Sequence, residues 1–237
     1  MNYLMRWSVL LPVLLLWTWG CGCGPRDPVE EMQKSLASAP EYMILLEDMR
    51  EEGSFFTEYY HRYKVVQGER QGVTDWIEVP ESVYKKYEPF LGMALVAKSD
   101  QGVNDTPHPP GYNYVGNPRY GGWVSHGGGS FWQFYGQYAL MRDMMGWGGR
   151  SVNRADYDDY RTSRDRRRPY YGRVGSDGRT REFGTSGSVT QKQKPKVFER
   201  RKQAIARKKR SFTQRVRSRT GRSRSGFGSR SRGGFGK

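Results

Sequence analysis

The chain has 237 residues, of which 35% are hydrophobic, and its 30 glycines and 12 prolines argue against one large, evenly packed core. The net charge of +16 is unevenly spread: residues 24–110 carry −7 (9 Lys/Arg, 16 Asp/Glu) and residues 151–237 carry +20 (27 Lys/Arg, 7 Asp/Glu). The only two cysteines, Cys21 and Cys23, lie near the start, which excludes a disulfide framework or a thiolate metal site elsewhere. An acidic front and a basic end indicate an anionic partner or an acidic surface of the same chain.

The first 24 residues have the three parts of a secretory signal peptide. A polar start with one charge, Arg6, precedes an apolar run from Val9 to Trp19, and small residues follow. The run has about a dozen residues, whereas a helix needs about 20 to cross the hydrocarbon core of a bilayer. We therefore expect residues 1–22 to direct export. An uncleaved N-terminal anchor and a plain secretion signal are the alternatives.

The two cysteines predict lipidation. Small residues precede Cys23, as in the lipobox of bacterial lipoproteins, where acyl chains such as palmitate are attached to a cysteine that becomes the new N-terminus. Cys21 is the other candidate, and neither cysteine has the usual Leu three residues earlier. Two or three acyl chains give lasting attachment to membrane lipid. We expect a cell-envelope protein on the periplasmic or extracellular side, and Gly24 in place of Asp favours the outer membrane of a Gram-negative cell.

Residues 27–100 predict a small α+β domain. Helices are expected from Pro28 to about Ala37 and from Pro80-Glu81-Ser82 to about Tyr87. Strands are expected at 42–49, 55–66, 75–79 and 91–97, because these runs are rich in aromatic and β-branched residues. The first two strands would pair as an antiparallel hairpin, although a helix competes for 42–50.

The middle of the chain divides into two predicted segments. Residues 101–129 are rich in Gly and Pro and predict a linker. Residues 130–147 predict a helix capped by Ser130, with Phe131, Phe134 and Tyr138 on one face. That face would pack on the folded head or lie at a membrane or partner interface.

Residues 150–237 predict a largely disordered basic tail, because polar and Gly/Ser-rich sequence buries too little apolar surface to offset the ordering entropy. The stretch 197–212 can become helical on binding. Arginine makes bidentate contacts with phosphate and carboxylate. The residues expected to bind an anionic partner are Arg166, Arg167, Arg168, Arg200, Arg201, Lys202, Arg207, Lys208, Lys209 and Arg210.

The sequence carries no catalytic or metal-binding motif. Its three histidines, His61, His108 and His126, lack metal-ligand spacing, and Gly127-Gly128-Gly129-Ser130 lacks the Lys of a phosphate-binding loop. We therefore expect a protein that is not an enzyme and that has no cofactor and no metal.

Short motifs suggest a family. Leu91-Gly92-Met93, Gly128-Gly129-Ser130-Phe131-Trp132, Arg168-Pro169-Tyr170-Tyr171-Gly172 and the Ser/Arg-rich end with Gly-Phe-Gly-Lys resemble a group of uncharacterised bacterial lipoproteins. The resemblance implies a signal peptide, an α+β head and a flexible Ser/Arg/Gly-rich tail, and it implies no activity.

Three functions remain open from the sequence. The first is a membrane-anchored envelope lipoprotein whose basic tail contacts an anionic envelope polymer or a membrane partner. The second is a nucleic-acid-binding protein that uses the Arg/Gly/Phe-rich tail, which the export signal disfavours. The third is a structural module whose tail neutralises its own acidic head.

Overall fold

A six-stranded antiparallel sheet forms the centre of the computed structural model, which describes residues 26–53, 56–68, 70–138, 151–175, 178 and 181–223. The strand order is β3-β2-β1-β5-β6, and β4 also pairs with β2. The strands of this sheet are β1 (Tyr42–Glu52), β2 (Glu58–Gln67), β3 (Arg70–Val73), β4 (Ile77–Val79), β5 (Ala94–Ser99) and β6 (Gly102–Asn104).

A second, two-stranded sheet and several helices complete the described residues. The small sheet pairs β7 (Gly121–His126) with β8 (Gly129–Phe134). Short 3-10 helices cover Glu88–Phe90, Tyr112–Tyr114 and Gly136–Tyr138. The α-helices are α1 (Pro28–Ser35), α2 (Glu81–Tyr87), α3 (Arg154–Asp165), α4 (Ser188–Gln193) and α5 (Pro195–Ser223). The predicted α+β class, with antiparallel strands and short helices, is confirmed.

Strand β1 is the central element, and both of its faces are buried. Ile44 and Leu46 face one hydrophobic layer, which contains residues of α1, α2 and the start of α5. Met43 and Leu45 face the other layer, which contains aromatic residues from the middle of the chain and from α3. Burial on both faces explains a continuous apolar run that also suits a helix. The strand prediction for 42–49 was therefore right, and the competing helix was wrong.

The prediction of a linker at 101–129 is wrong. Thr106, His108, Pro109 and Pro110 are buried, and Tyr112, Tyr114 and Tyr120 follow them into the core. The Ala94 and His108 backbones exchange both hydrogen bonds, so the Pro-rich segment is held against β5. Aromatic side chains bury large areas, and here they outweigh the turn-forming residues between them.

The prediction of a helix from Ser130 is also wrong where the structure describes it. Residues 129–134 form β8, which pairs with β7 from Gly121↔Phe134 to His126↔Gly129. Gly127 and Gly128 have φ of +57° and +83°, the left-handed backbone that tight hairpin turns require. Trp123 and Trp132 pair across the hairpin with ring centroids 5.3 Å apart. Residues 139–147 of the predicted helix lie outside the described residues.

The predicted start of the tail at residue 150 is corrected, because the described parts of residues 151–201 pack on the head. Tyr157 and Tyr160 of α3, together with Tyr170, are buried in the layer that faces Met43. Val197 at the start of α5 is buried in the opposite layer. The strong positive charge of this segment concealed the few apolar side chains that anchor it. The basic tail begins only near Lys202.

Candidate anionic-partner interface

Helix α5 is the most basic element of the structure, and its first two turns are fixed to the head. Pro195 occupies the first turn, where its missing N–H costs nothing, and Lys, Arg, Gln and Ala extend the helix. Val197 is 6% exposed and packs with Phe198 against the layer under Ile44. The predicted helical stretch 197–212 lies inside α5, which runs from Pro195 to Ser223.

Three ion pairs reinforce this contact. Lys194 Nζ lies 2.5 Å from Glu47 Oε1, and Arg201 donates to Glu88 Oε1 at 2.6 Å. Arg200 donates to both carboxylate oxygens of Asp48, at 2.5 and 2.7 Å. The pairing register of β1 shifts between Leu46 and Asp48, and the adjacent acids Glu47 and Asp48 at this irregularity both pair with cations near the start of α5. Partly exposed pairs like these contribute roughly 0.2–1 kcal/mol each.

Trp76 lies beside the same contact. The guanidinium carbons of Arg50, Arg62 and Arg200 lie 4.3, 5.9 and 5.9 Å from its ring centroid. Cations are attracted to the negative face of an indole. Arg200 therefore contacts two residues of the head, Asp48 and Trp76.

Beyond Arg201, the helix presents basic side chains to solvent. Of the predicted binding residues, Lys202, Arg207, Lys209 and Arg210 are all exposed, as are Arg215 and Arg219 further along. The side chain of Lys208 is not among those that the structure describes. Glu199 is the last acidic residue of the chain, so no acid follows it to offset these charges. This exposed part of α5 has the electrostatic character of a polyanion-binding surface.

The predicted cluster Arg166–Arg168 lies elsewhere. These three arginines are exposed just after α3, which packs on the sheet face opposite to the one that α5 covers. Arg167 has φ of +53°, a left-handed conformation that glycine usually supplies at the end of a helix. The structure therefore separates the predicted basic residues into two surfaces, and it pairs Arg200 and Arg201 internally.

Asp27 is a buried acid that links α1 to α2. It caps α1 by accepting from the Val29 amide at 3.0 Å, and it also accepts from Lys86 Nζ at 2.7 Å and from the Tyr87 hydroxyl at 2.8 Å. The Asp-Pro pair before a helical run was the available signal, since Asp is a favoured N-cap. Asp27 fixes the first described residues to α2. The lipidation candidates Cys21 and Cys23 lie outside the described residues.

Two of the histidines are buried and uncharged at neutral pH. His61 Nδ1 lies 2.9 Å from the Tyr63 hydroxyl, and His108 Nδ1 lies 2.8 Å from the Thr106 carbonyl oxygen. Burial lowers the pKa of each imidazole to about 4, because the protonated ring would lose its hydration. His126 is exposed in the β7–β8 turn. These surroundings make His61 and His108 parts of the core.

A small cavity beside α3 contains Asp156, which is 4% exposed and with Asp27 is one of two buried acids among the described residues. Asp156 lies there with Tyr112, Arg173 and Glu182, and Arg173 Nε is 3.4 Å from an Asp156 oxygen. Burial raises the pKa of Asp156, against the opposing effect of Arg173. The cavity measures about 20 Å³, which accommodates one water molecule and no substrate.

Fold and site together define an α+β protein with a polybasic C-terminal helix. The chain matches no protein-family model, and no curated protein or solved structure matches it. The resemblance to bacterial lipoproteins therefore stays a prediction. Within the described ranges, the helices are all too short or too polar to cross a bilayer. The same ranges hold no group of three His, Cys, Asp or Glu side chains placed as metal ligands.

Proposed function

We propose that the chain is a non-enzymatic envelope lipoprotein, exported by residues 1–22 and acylated at Cys23 or Cys21. In this proposal, the part of α5 beyond Arg201 binds an anionic partner of the envelope. The supporting observation is the exposed basic surface of α5, which carries Lys202, Arg207, Lys209 and Arg210 and is followed by no acidic residue.

The ion pairs divide the basic segment into two parts. Lys194, Arg200 and Arg201 neutralise Glu47, Asp48 and Glu88, as expected for a module that compensates its own acidic head. Their charges are thereby less accessible to a partner. The binding set of the proposal is therefore the group that follows them: Lys202, Arg207, Lys208, Lys209 and Arg210.

Acylation is tested by labelling cells with radioactive palmitate. We expect the full chain to be labelled, the Cys21→Ser variant to keep the label and the Cys23→Ser variant to lose it, because Cys23 has small residues on its N-terminal side. Globomycin, which blocks lipoprotein signal cleavage, should leave a larger precursor. Unlabelled cytosolic protein that still begins at Met1 would contradict the envelope assignment and favour the nucleic-acid-binding alternative.

Binding of the anionic partner is tested with inorganic polyphosphate and the mature chain from residue 23, with Cys23→Ser so that it carries no acyl group. We expect the fourfold variant Lys202→Gln, Arg207→Gln, Lys209→Gln and Arg210→Gln to bind more than tenfold more weakly at low salt. Each lost phosphate contact should also reduce the slope of log affinity against log salt by roughly 0.7–0.9.

The matched control removes the same charge from other exposed positions. It is Lys34→Gln, Arg70→Gln, Lys192→Gln and Lys196→Gln, all outside the exposed part of α5. If both fourfold variants lose affinity equally, net charge rather than α5 governs binding. Salt-insensitive binding of the unaltered chain would contradict an electrostatic partner.

A further inference from the structure

Only a few residues separate the proposed lipidation site from the folded head. Asp27 is 8% exposed and is held by α2, and it follows Cys23 by four residues. Four extended residues span at most about 14 Å. An acylated Cys23 would therefore hold the head directly against the bilayer surface, with no long tether between them.

Helix α5 starts on the same side of the sheet as α1, the first helix after the proposed attachment point. Val29 of α1 and Val197 of α5 are buried in one hydrophobic layer, under Ile44 and Leu46. The helix that follows the anchor and the helix that carries the basic surface thus cover the same face of the central sheet. This arrangement places the start of α5 on the sheet face covered by the helix that begins five residues after Cys23.

The exposed part of α5 also carries an apolar stripe. Ile205, Phe212 and Val216 are 54, 68 and 43% exposed. Their spacings of seven and four residues place them within about 40° of one another around the helix. Lys202 and Lys209 border the stripe on one side, and Arg215 and Arg219 border it on the other.

We propose that α5 lies along the anionic bilayer in which the acyl chains are anchored, with Ile205, Phe212 and Val216 entering the boundary between headgroups and acyl chains. The flanking lysines and arginines contact lipid phosphates. This inference rests on the proposed function and names its partner. A soluble polyanion satisfies the charges but leaves the apolar stripe in water, whereas a bilayer accommodates both. Attachment at Cys23 raises the local concentration of α5 at the surface, so a narrow stripe is sufficient.

The test uses the mature Cys23→Ser chain and vesicles of phosphatidylcholine with 30% phosphatidylglycerol. The variant Ile205→Ser, Phe212→Ser and Val216→Ser keeps every charge and removes the stripe. We expect its partition onto these vesicles to fall roughly tenfold or more, because the apolar side chains are no longer removed from water. Its affinity for polyphosphate should be unchanged. The control, Gln203→Ser, Ala206→Ser and Gln214→Ser, makes three serine substitutions outside the stripe and should bind both as the parent does.

The depth to which the apolar stripe of α5 enters the bilayer is measured with a fluorophore. The Cys23→Ser chain from residue 23 has no other cysteine, so Phe212→Cys and Gln214→Cys can each be labelled at one site. We expect the emission of the label at 212 to shift to the blue on the anionic vesicles, and the label at 214 to shift little.

The outcomes separate the two proposals. Equal vesicle binding by the stripe variant and the control, with no blue shift at 212, would overturn bilayer insertion while polyphosphate binding left the proposed function standing. Failure to bind both vesicles and polyphosphate would overturn both. Binding to vesicles of phosphatidylcholine alone, at equal strength, would overturn the role of the lipid phosphates.

Discussion

A chain that ends at Arg150 should fail to fold, whereas a chain that ends at Lys202 should keep the native fold. Ending the chain at Arg150 removes buried side chains from three hydrophobic clusters. Burial of one large apolar side chain contributes roughly 1.5–3 kcal/mol to stability. Together the seven side chains contribute about 10–20 kcal/mol, which is as large as the whole stability of an ordinary domain, about 5–15 kcal/mol. The removed core residues are Val152, Tyr157, Tyr160, Tyr170, Phe183, Val189 and Val197.

Near-UV circular dichroism and urea unfolding measure this difference. The chain that ends at Lys202 is the control, since it loses the exposed part of α5 and keeps the ion pairs of Lys194, Arg200 and Arg201. If the basic segment served only to neutralise the head, high salt would restore folding to the shorter chain. We expect no such rescue, because the missing contribution is apolar burial. A cooperative urea transition in the shorter chain with the parent's midpoint would refute this assignment.

Mild acid should destabilise the head strongly. His61 and His108 have a pKa of about 4 in the folded protein, against an ordinary value of 6.5. Between these pH values the unfolded chain therefore binds more protons than the folded chain. The contribution of the two uncharged rings to the free energy of unfolding is fully present above pH 6.5 and is lost as the pH falls towards 4. Each histidine lowers the free energy of unfolding by about 2 kcal/mol between pH 7 and pH 5, so the pair lowers it by about 4 kcal/mol.

Urea unfolding at pH 7, 6 and 5 measures the effect. His61→Gln and His108→Gln should each lower stability at pH 7 and each remove about half of the pH dependence. His126→Gln is the control, since this histidine is exposed in a turn and lies outside the core. A parent chain with equal stability at pH 7 and 5 would show that the two rings are not held uncharged by burial.

Much of the sheet could be predicted from its sequence, because its signals are local. The turn near Gly53 and the alternation of Tyr59, His61, Tyr63 and Val65 identified the β1–β2 hairpin. The β7–β8 hairpin had a comparable signal, Gly127-Gly128 between aromatic runs. It was missed because Ser130 and the aromatic residues after it also fit a helix.

The candidate interface shows what sequence-based prediction could not provide, namely which of the basic side chains pair within the protein. Sequence identifies where the cations are, but pairing with Asp48 across 152 residues depends on the tertiary fold. Arg200 and Lys202 therefore look equivalent in the sequence, and only the folded structure shows that Arg200 pairs with Asp48. The burial of Tyr157 and Tyr160 could not be predicted from the sequence either, because these side chains pack on a sheet whose strands lie more than 50 residues earlier in the chain.

The shared layer of Val29 and Val197 also affects how the protein is made. A ribosome adds about 5–20 residues per second, so roughly ten to thirty seconds pass between these two valines. Throughout that interval, the hydrophobic layer under Ile44 lacks the side chain of Val197. Folding of the head is consequently completed only late in synthesis, after residue 197 has been added.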